Sequence, residues 1–178
     1  MRKLSTESLG RPSPEEVARL PKIPVTVVLD NVRSLNNVGS LFRTCDAFAV
    51  ERLVLCGITG TPPDREIHKT ALGAELIVPW RHFAKTEEAV EWLRAEGCVV
   101  VAVEQVEGAA MLDGFVPDLA KRYALILGNE VDGVAQSVVD MCDGAIEIPQ
   151  AGAKHSLNVA VSGGVVLWPF FCAFRKEL

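Results

Sequence analysis

The sequence lacks the patterns that mark several large classes of protein. Its five cysteines form no C-x-x-C pair, and its three histidines show no metal-ligand spacing with one another or with a cysteine, so no metal site is expected. An odd number of widely spaced cysteines is typical of reduced thiols in the cytoplasm. Arg2 and Lys3 are followed by no apolar segment, so no secretory signal is expected.

No apolar run is long enough to predict a membrane protein. The most apolar segment, residues 157–174, is interrupted by Asn158, Ser162 and Pro169 and falls short of the roughly 20 apolar residues that a span requires. This segment predicts a buried helix instead. A chain of 178 residues with 49% hydrophobic residues suits one packed domain.

Two common nucleotide-binding patterns are also missing. The segment after the first predicted strand, residues 31–39, contains no G-x-G-x-x-G, which argues against an NAD enzyme. Gly128 and Gly133 have the spacing of a P-loop, but Val134 and Ala135 follow where Lys and Ser or Thr are required. Binding of a nucleoside triphosphate by that route is therefore disfavoured.

Positive charge is scarce overall and unevenly distributed. The net charge is -5, yet residues 1–85 carry 12 Lys and Arg against 9 Asp and Glu, while the remainder carries 6 against 14. Only the N-terminal half offers a surface suited to phosphate groups. Ordinary solvated charge is an equally good interpretation of this asymmetry alone.

What is present is an alternation of apolar strands and amphipathic helices. Residues 1–24 form a proline-rich arm with a short helix after Ser13, and residues 25–178 form the domain. We expect a mostly parallel, six-stranded α/β sheet with helices on both faces and ligands bound beyond the carboxyl ends of the strands. The predicted strands are residues 25–32, 52–57, 75–80, 98–104, 123–128 and 145–149, and the predicted helices are residues 37–48, 64–72, 86–96 and 134–141.

The first polar constellation lies in residues 31–44. Asn36 and Arg43 are seven positions apart and therefore share a helix face opposite the apolar stripe of that helix. A solvated surface arginine and an N-capping asparagine are the simpler interpretation of this segment alone.

Two further constellations follow strands that are predicted to be buried. Gly128, Asn129 and Glu130 come directly after an apolar strand, where a carboxylate serves either the next helix or a ligand. Residues 146–158 run from a strand through a loop to Ser156 and the start of the last helix. Ser156 is a candidate N-cap there, and the glycines at 163 and 164 predict a close helix contact.

Together, and in this order, the three segments resemble the motifs of the SpoU (TrmH-type) branch of the SPOUT RNA methyltransferases. The resemblance covers roughly residues 24–172. It places the first motif on Asn36 and Arg43, the second on residues 128–130, and the third on residues 156–158.

The resemblance implies a C-terminal trefoil knot, a homodimer whose sites borrow from the partner, and S-adenosylmethionine as the methyl donor. No metal is implied. The residues implied to bind the cofactor are Val103, Leu127, Gly128, Asn129, Ile148, Pro149 and Leu157.

The implied reaction is methylation of a ribose 2′-hydroxyl. In it, Arg43 binds the adjacent phosphate and stabilises the developing alkoxide, while Asn36 and Ser156 orient the hydroxyl. Glu130 and Asn158 hold Arg43 and the loop. A role of Arg43 as the base is the alternative, which we disfavour because a guanidinium keeps its proton far above neutral pH.

The implied substrate is RNA, with tRNA favoured over rRNA because the chain resembles a minimal member without a separate RNA-binding domain. A catalytically silent member that only binds RNA and cofactor, an rRNA 2′-O-methyltransferase and a knotted base methyltransferase are the alternatives. The candidate phosphate contacts are Arg33, Arg65, Lys69, Arg81, Lys85 and Lys154.

Overall fold

The computed structural model describes residues 2–4, 10 and 13–177. The helices are α1 (Pro14–Arg19), α2 (Leu35–Ala47), α3 (Arg65–Ala71), α4 (Thr86–Ala95), α5 (Gln136–Val139) and α6 (Val159–Phe174). The strands are β1 (Ile23–Asp30), β2 (Val50–Cys56), β3 (Trp80–Phe83), β4 (Cys98–Val103), β5 (Ala110–Met111), β6 (Arg122–Leu127) and β7 (Gly144–Glu147). Short 3₁₀ turns lie at Ala74–Leu76, Leu112–Gly114 and Arg175–Glu177.

The strands form one sheet in the order β3-β2-β1-β6-β4-β7-β5, and every pairing between neighbours is parallel. This confirms the predicted parallel α/β sheet but corrects its six strands to seven. The additional strand, β5, has two residues, which is too short for a pattern of alternating burial to reveal it. The trefoil knot that the resemblance implies stays a prediction.

Helices cover both faces because successive side chains of a strand point to opposite sides. In β1, Val27 and Leu29 join the larger core with α2 and α6, while Val28 joins the smaller core with α4 and α5. Apolar residues on both faces of a central strand explain why β1 shows an almost continuous apolar run.

The prediction of a strand at residues 75–80 is wrong. Gly73 has a φ of +94°, and the Glu75 carboxylate accepts the Gly73 amide at 3.0 Å and pairs with His68 at 2.5 Å. These bonds hold the chain in a 3₁₀ turn, and β3 begins only at Trp80. The hydrogen bond from the nearby Gly73 amide to the Glu75 side chain therefore favours the turn over a strand here.

Helix α6 is apolar and packs closely on α2, as the two glycines predict. A Cβ on Gly163 would lie 2.4 Å from a methyl group of Leu41 and 3.1 Å from one of Leu127, whereas Gly164 has only Thr44 at 4.0 Å. The close contact therefore depends on Gly163. Among the described residues, no helix has the length and apolar character needed to cross a membrane.

Candidate active site

A cavity of about 280 Å³ lies at the carboxyl ends of β4, β6 and β7, in the position expected for a parallel sheet. The loop after β6 and the loop before α6 supply most of its lining. Of the residues predicted to bind the cofactor, only Pro149 does not line it. Those that do are Val103, Leu127, Gly128, Asn129, Ile148 and Leu157.

The loop after β6 folds back on itself to form one wall of this cavity. Asn129 and Gly133 exchange two backbone hydrogen bonds of 3.1 and 3.2 Å, and the Asn129 side chain accepts the amides of Val131 and Asp132. A Cβ on Gly128 would lie 2.0 Å from the carbonyl carbon of Gly133, so only glycine fits there. The hydrogen bonds within the loop therefore fix the shape of this wall.

A chain of side-chain hydrogen bonds joins the three motifs. Asn37 donates to a carboxylate oxygen of Glu130 at 2.9 Å, and Asn158 donates to the side-chain oxygen of Asn37 at 3.1 Å. Glu130 also accepts the backbone amides of Arg33 and Ser34 at 3.2 and 3.3 Å. Burial raises the pKa of Glu130, but these bonds, led by that from Asn37, outweigh it and hold this pKa below its ordinary value.

Asn158 also determines where α6 begins. Its side-chain oxygen accepts the amides of Ala160 at 2.9 Å and Val161 at 3.3 Å, so the N-cap is Asn158 and not Ser156. Ser156 is exposed and lines the cavity. Its hydroxyl makes no hydrogen bond with any residue that the structure describes, so it is available to a substrate.

The structure differs from the expectation that Glu130 and Asn158 hold Arg43, because both bind Asn37 instead. Arg43 is exposed and lies at a second cavity of about 460 Å³, outside the first. The other residues lining this second cavity are Ser40, Thr44, Ala47, Phe48, Lys69 and Thr70.

Asn36 does not join the hydrogen-bonded chain. Its carbonyl accepts the hydroxyls of Ser40 at 2.8 Å and Thr70 at 2.9 Å, and within the described part of the protein its amide side chain has no hydrogen bond. One step along a helix turns the side chain by about 100°, which is why Asn37 meets Glu130 and Asn36 does not. The structure therefore places Asn37, and not Asn36, in the hydrogen-bonded chain.

Four predicted phosphate contacts lie at the end of the sheet that holds the first cavity. Arg33 follows β1, Arg65 begins α3 after the β2 loop, Lys85 follows β3, and Lys154 lies in the loop before α6. All four are exposed. This arrangement leaves their charges accessible to a large anion.

The other two predicted contacts have different surroundings. Lys69 pairs with Glu66 at 2.6 Å and lines the Arg43 cavity, where two cations lie together. The guanidinium of Arg81 lies over the rings of Phe83 and Trp92, 4.8 and 4.9 Å from their centroids. Arg81 is therefore held by aromatic contacts beside the acidic helix α4.

Sequence reasoning missed several polar residues of the first cavity. Glu104 and Gln105 follow β4, while His155 and Ser162 flank the start of α6. The position of Glu104 directly after an apolar strand was an available signal of the same kind that identified Glu130.

The lining of the first cavity suits an adenosine. The side chains of Val103, Leu127, Ile148 and Leu157 offer apolar walls for a flat purine, and strand ends leave backbone N–H and C=O groups for its edge. No group of three or more His, Cys, Asp or Glu side chains that could hold a metal ion occurs in the described ranges.

The chain is similar to known RNA methyltransferases. It is 35% identical over 164 residues to the tRNA (guanosine(18)-2'-O)-methyltransferase of Thermus thermophilus, covering 92% of this chain and 81% of that protein. It is 31% identical to the 23S rRNA (guanosine-2'-O-)-methyltransferase RlmB of Vibrio vulnificus, covering 87% of this chain and 60% of the relative.

Solved structures share the fold. The AdoMet-bound rRNA methyltransferase from Sinorhizobium meliloti is 30% identical with a TM-score of 0.78, over 94% of this chain and 62% of that one. The A. aeolicus TrmH/SpoU tRNA modifying enzyme is 24% identical with a TM-score of 0.80, over 92% and 82%.

A family model supports the same assignment. The model of the SpoU rRNA Methylase family matches residues 24–168, which include nearly all of the sheet, both cavities and all three motifs. The chain therefore belongs to the SpoU rRNA Methylase family.

Proposed function

We propose that this protein transfers the methyl group of S-adenosylmethionine to a ribose 2′-hydroxyl of RNA. The observation that carries the proposal is the hydrogen-bonded chain Asn158–Asn37–Glu130, which joins the three motif segments, two of which line the first cavity. Family membership and the Thermus relative, a tRNA 2'-O-methyltransferase, support the same reaction.

S-Adenosylmethionine, when bound, supplies a methyl group on a positively charged sulfur, an electrophile that needs only an aligned nucleophile. The apolar walls of the first cavity would hold the adenine, and the hydrogen-bonded loop at residues 128–133 would cover one side of it. Three carboxylates in the lining, Glu104, Glu130 and Asp132, favour a ligand that carries positive charge.

The chain's own residues then act on the ribose. The Ser156 hydroxyl, exposed at the cavity, orients the 2′-hydroxyl by a hydrogen bond. Arg43 binds the neighbouring phosphate and stabilises the negative charge that develops on the ribose oxygen as its proton passes to solvent water and the oxygen takes the methyl group. Asn37, Glu130 and Asn158 hold the starts of α2 and α6 in place.

The active form we propose is a homodimer in which Arg43 serves the cavity of the partner. Arg43 lines the second cavity and not the first cavity of its own chain. Beside it, α6 exposes an apolar face made of Val161, Val165 and Trp168, which are 52%, 40% and 53% exposed. A second copy that covers this face would bring a neighbouring site next to Arg43.

We favour tRNA over rRNA as the substrate. The Thermus tRNA relative matches this chain over 81% of its length, against 60% for the rRNA relative from Vibrio. The exposed Arg33, Arg65, Lys85 and Lys154 supply phosphate contacts on the cavity side of the sheet. An RNA substrate and five free thiols are consistent with the cytoplasm as the location.

The test is methyl transfer from labelled S-adenosylmethionine to purified tRNA and rRNA, followed by mapping of the modified nucleotide. We expect a 2′-O-methylated nucleotide in tRNA and a loss of more than about tenfold in rate for Arg43→Ala, because a positioned charge contributes at least that much. Lys121→Ala removes an exposed cation outside both cavities and is the matched control.

Each other outcome has a definite meaning. Modification of rRNA alone would reverse the substrate preference, and a methylated base would contradict the ribose assignment. Binding of S-adenosylmethionine without transfer to either RNA would support the catalytically silent alternative. Activity of Arg43→Ala within about tenfold of the wild type would remove Arg43 from the mechanism.

A further inference from the structure

Glu104 holds the loop that forms one wall of the first cavity. It directly follows β4, is partly buried and lines the cavity. One carboxylate oxygen accepts the backbone amide of Gln105 at 2.8 Å, and the other accepts the amide of Val134 at 2.9 Å. The side chain therefore ties the end of β4 to the far end of the loop after β6.

The loop backbone approaches this carboxylate closely. A Cβ on Gly133 would lie 2.1 Å from an oxygen of Glu104, and Gly133 has a φ of +69°, which favours glycine. Gly133 in turn lies against Gly128 and forms the backbone pair with Asn129. Through these contacts the position of the carboxylate determines where Gly128 and Asn129 lie in the cavity.

We infer that Glu104 is a positioning residue for S-adenosylmethionine, an inference that rests on the proposed function. A carboxylate can accept both amides, whereas glutamine has one acceptor oxygen and its NH₂ group would face an N–H. The loss would be local, because the buried Asp30 still accepts the Ala135 amide at 3.0 Å. Glu104→Gln therefore loosens the loop without releasing it from the core.

The experiment compares the wild type with Glu104→Gln by calorimetry with S-adenosylhomocysteine, whose uncharged sulfur minimises the effect of the lost charge. We expect the Kd to rise about tenfold, because one buried amide loses its acceptor. Hydrogen–deuterium exchange of residues 128–135 in the cofactor-free protein should become faster. The KM for S-adenosylmethionine should rise while kcat at saturation stays within about threefold.

Two further variants distinguish the effect of the hydrogen bonds of Glu104 from the effect of its negative charge. Glu107→Gln changes an exposed carboxylate in the same segment that does not line the cavity, and its Kd should match the wild type. Asp132→Asn removes a carboxylate from the cavity lining, but the described hydrogen bonds of Asp132 involve only its backbone amide. Equal weakening by Asp132→Asn and Glu104→Gln would overturn the inference, because charge alone would explain both.

A third variant keeps the charge of Glu104 but disturbs its hydrogen bonds from the side of the loop. Gly133→Ala directs a methyl group at the Glu104 carboxylate and should also weaken binding, which keeps the inference testable if Glu104→Gln does not fold. Wild-type affinity in either variant, or unchanged exchange in the loop, would overturn the positioning role. Failure of the wild type itself to bind either ligand would contradict the proposed function instead.

Discussion

At the scale of single residues, Asn37 is the connecting point of the site. It receives the Asn158 side chain and donates to Glu130, so one amide group spans the second and third motifs. Its backbone amide also donates to the Ser34 hydroxyl at 3.3 Å, the N-cap of α2. Any change that removes the Asn37 side chain therefore removes one hydrogen bond from Glu130 and one from Asn158.

Replacement of Asn37 by alanine should impair both stability and catalysis. We expect the free energy of unfolding to fall by about 1 to 2 kcal/mol, because two side-chain hydrogen bonds of the half-buried Asn37 are lost and one of them is to a carboxylate. The rate of methyl transfer should fall by more than about tenfold. Urea denaturation and a single-turnover assay measure the two effects.

Asn36→Ala is the matched control for this variant, since it removes the same side chain from the adjacent position. Asn36 is exposed and its side chain has no hydrogen bond among the described residues, so its loss should be clearly smaller. A larger loss from Asn36→Ala than from Asn37→Ala would restore Asn36 to the site.

At the scale of elements, the packing of α6 on α2 determines how accurately the site is built. The loop that carries Ser156 ends at Asn158, which begins α6 and is bonded to α2 through Asn37. Gly163 lets the helices approach because its missing side chain leaves room for Leu41. Glycine inside a helix costs about 1 kcal/mol relative to alanine, a cost that the close contact offsets.

A pair of alanine replacements measures this contact. Gly163→Ala places a Cβ 2.4 Å from Leu41, whereas Gly164→Ala meets nothing closer than 4.0 Å. Both gain the same helix propensity, so we expect Gly164→Ala to be the more stable protein by about 2 kcal/mol in urea denaturation. Equal stabilities of the two variants would show that the α2–α6 contact is not tight.

At the scale of the whole molecule, the described surface leaves one apolar face uncovered next to Arg43. Trp168 is 53% exposed and its ring centroid lies 5.9 Å from that of Phe48, a residue of the Arg43 cavity. Helix α6 thus presents an apolar face close to Arg43, which lies outside the first cavity of its own chain. This arrangement is expected where two copies of a chain share a site.

Trp168→Glu should separate the proposed dimer. A charge on this face would have to be buried against apolar side chains, so we expect a monomer in sedimentation equilibrium and loss of methyl transfer. Calorimetric binding of S-adenosylmethionine should persist, because the first cavity lies within one chain. Val116→Glu, at a position that is 83% exposed and outside this face, is the control. A monomeric wild type at micromolar concentration would reject the dimer.

Much of the fold follows from local patterns. The parallel sheet could be predicted because β1, β4 and β6 are long apolar runs separated by amphipathic helices. The two-residue strand β5 and the 3₁₀ turn at Ala74–Leu76 could not, because the first lacks a pattern and the second depends on Glu75 meeting Gly73. Both outcomes show that short elements depend on contacts rather than on periodicity.

The class of fold and the three polar segments followed from the sequence alone, because apolar runs and polar strand ends are local in sequence. The residues predicted to bind the cofactor came from the resemblance to the SpoU branch. Only the folded molecule shows that Asn37, and not Asn36, bonds Glu130, and that Glu104 bonds the loop after β6. These interactions join residues 30 to 121 positions apart, and their direction depends on where each helix turns its side chains. The direction of the α2 side chains also places Arg43 at the second cavity and not at the first. The order of the motifs along the chain does not reveal this separation.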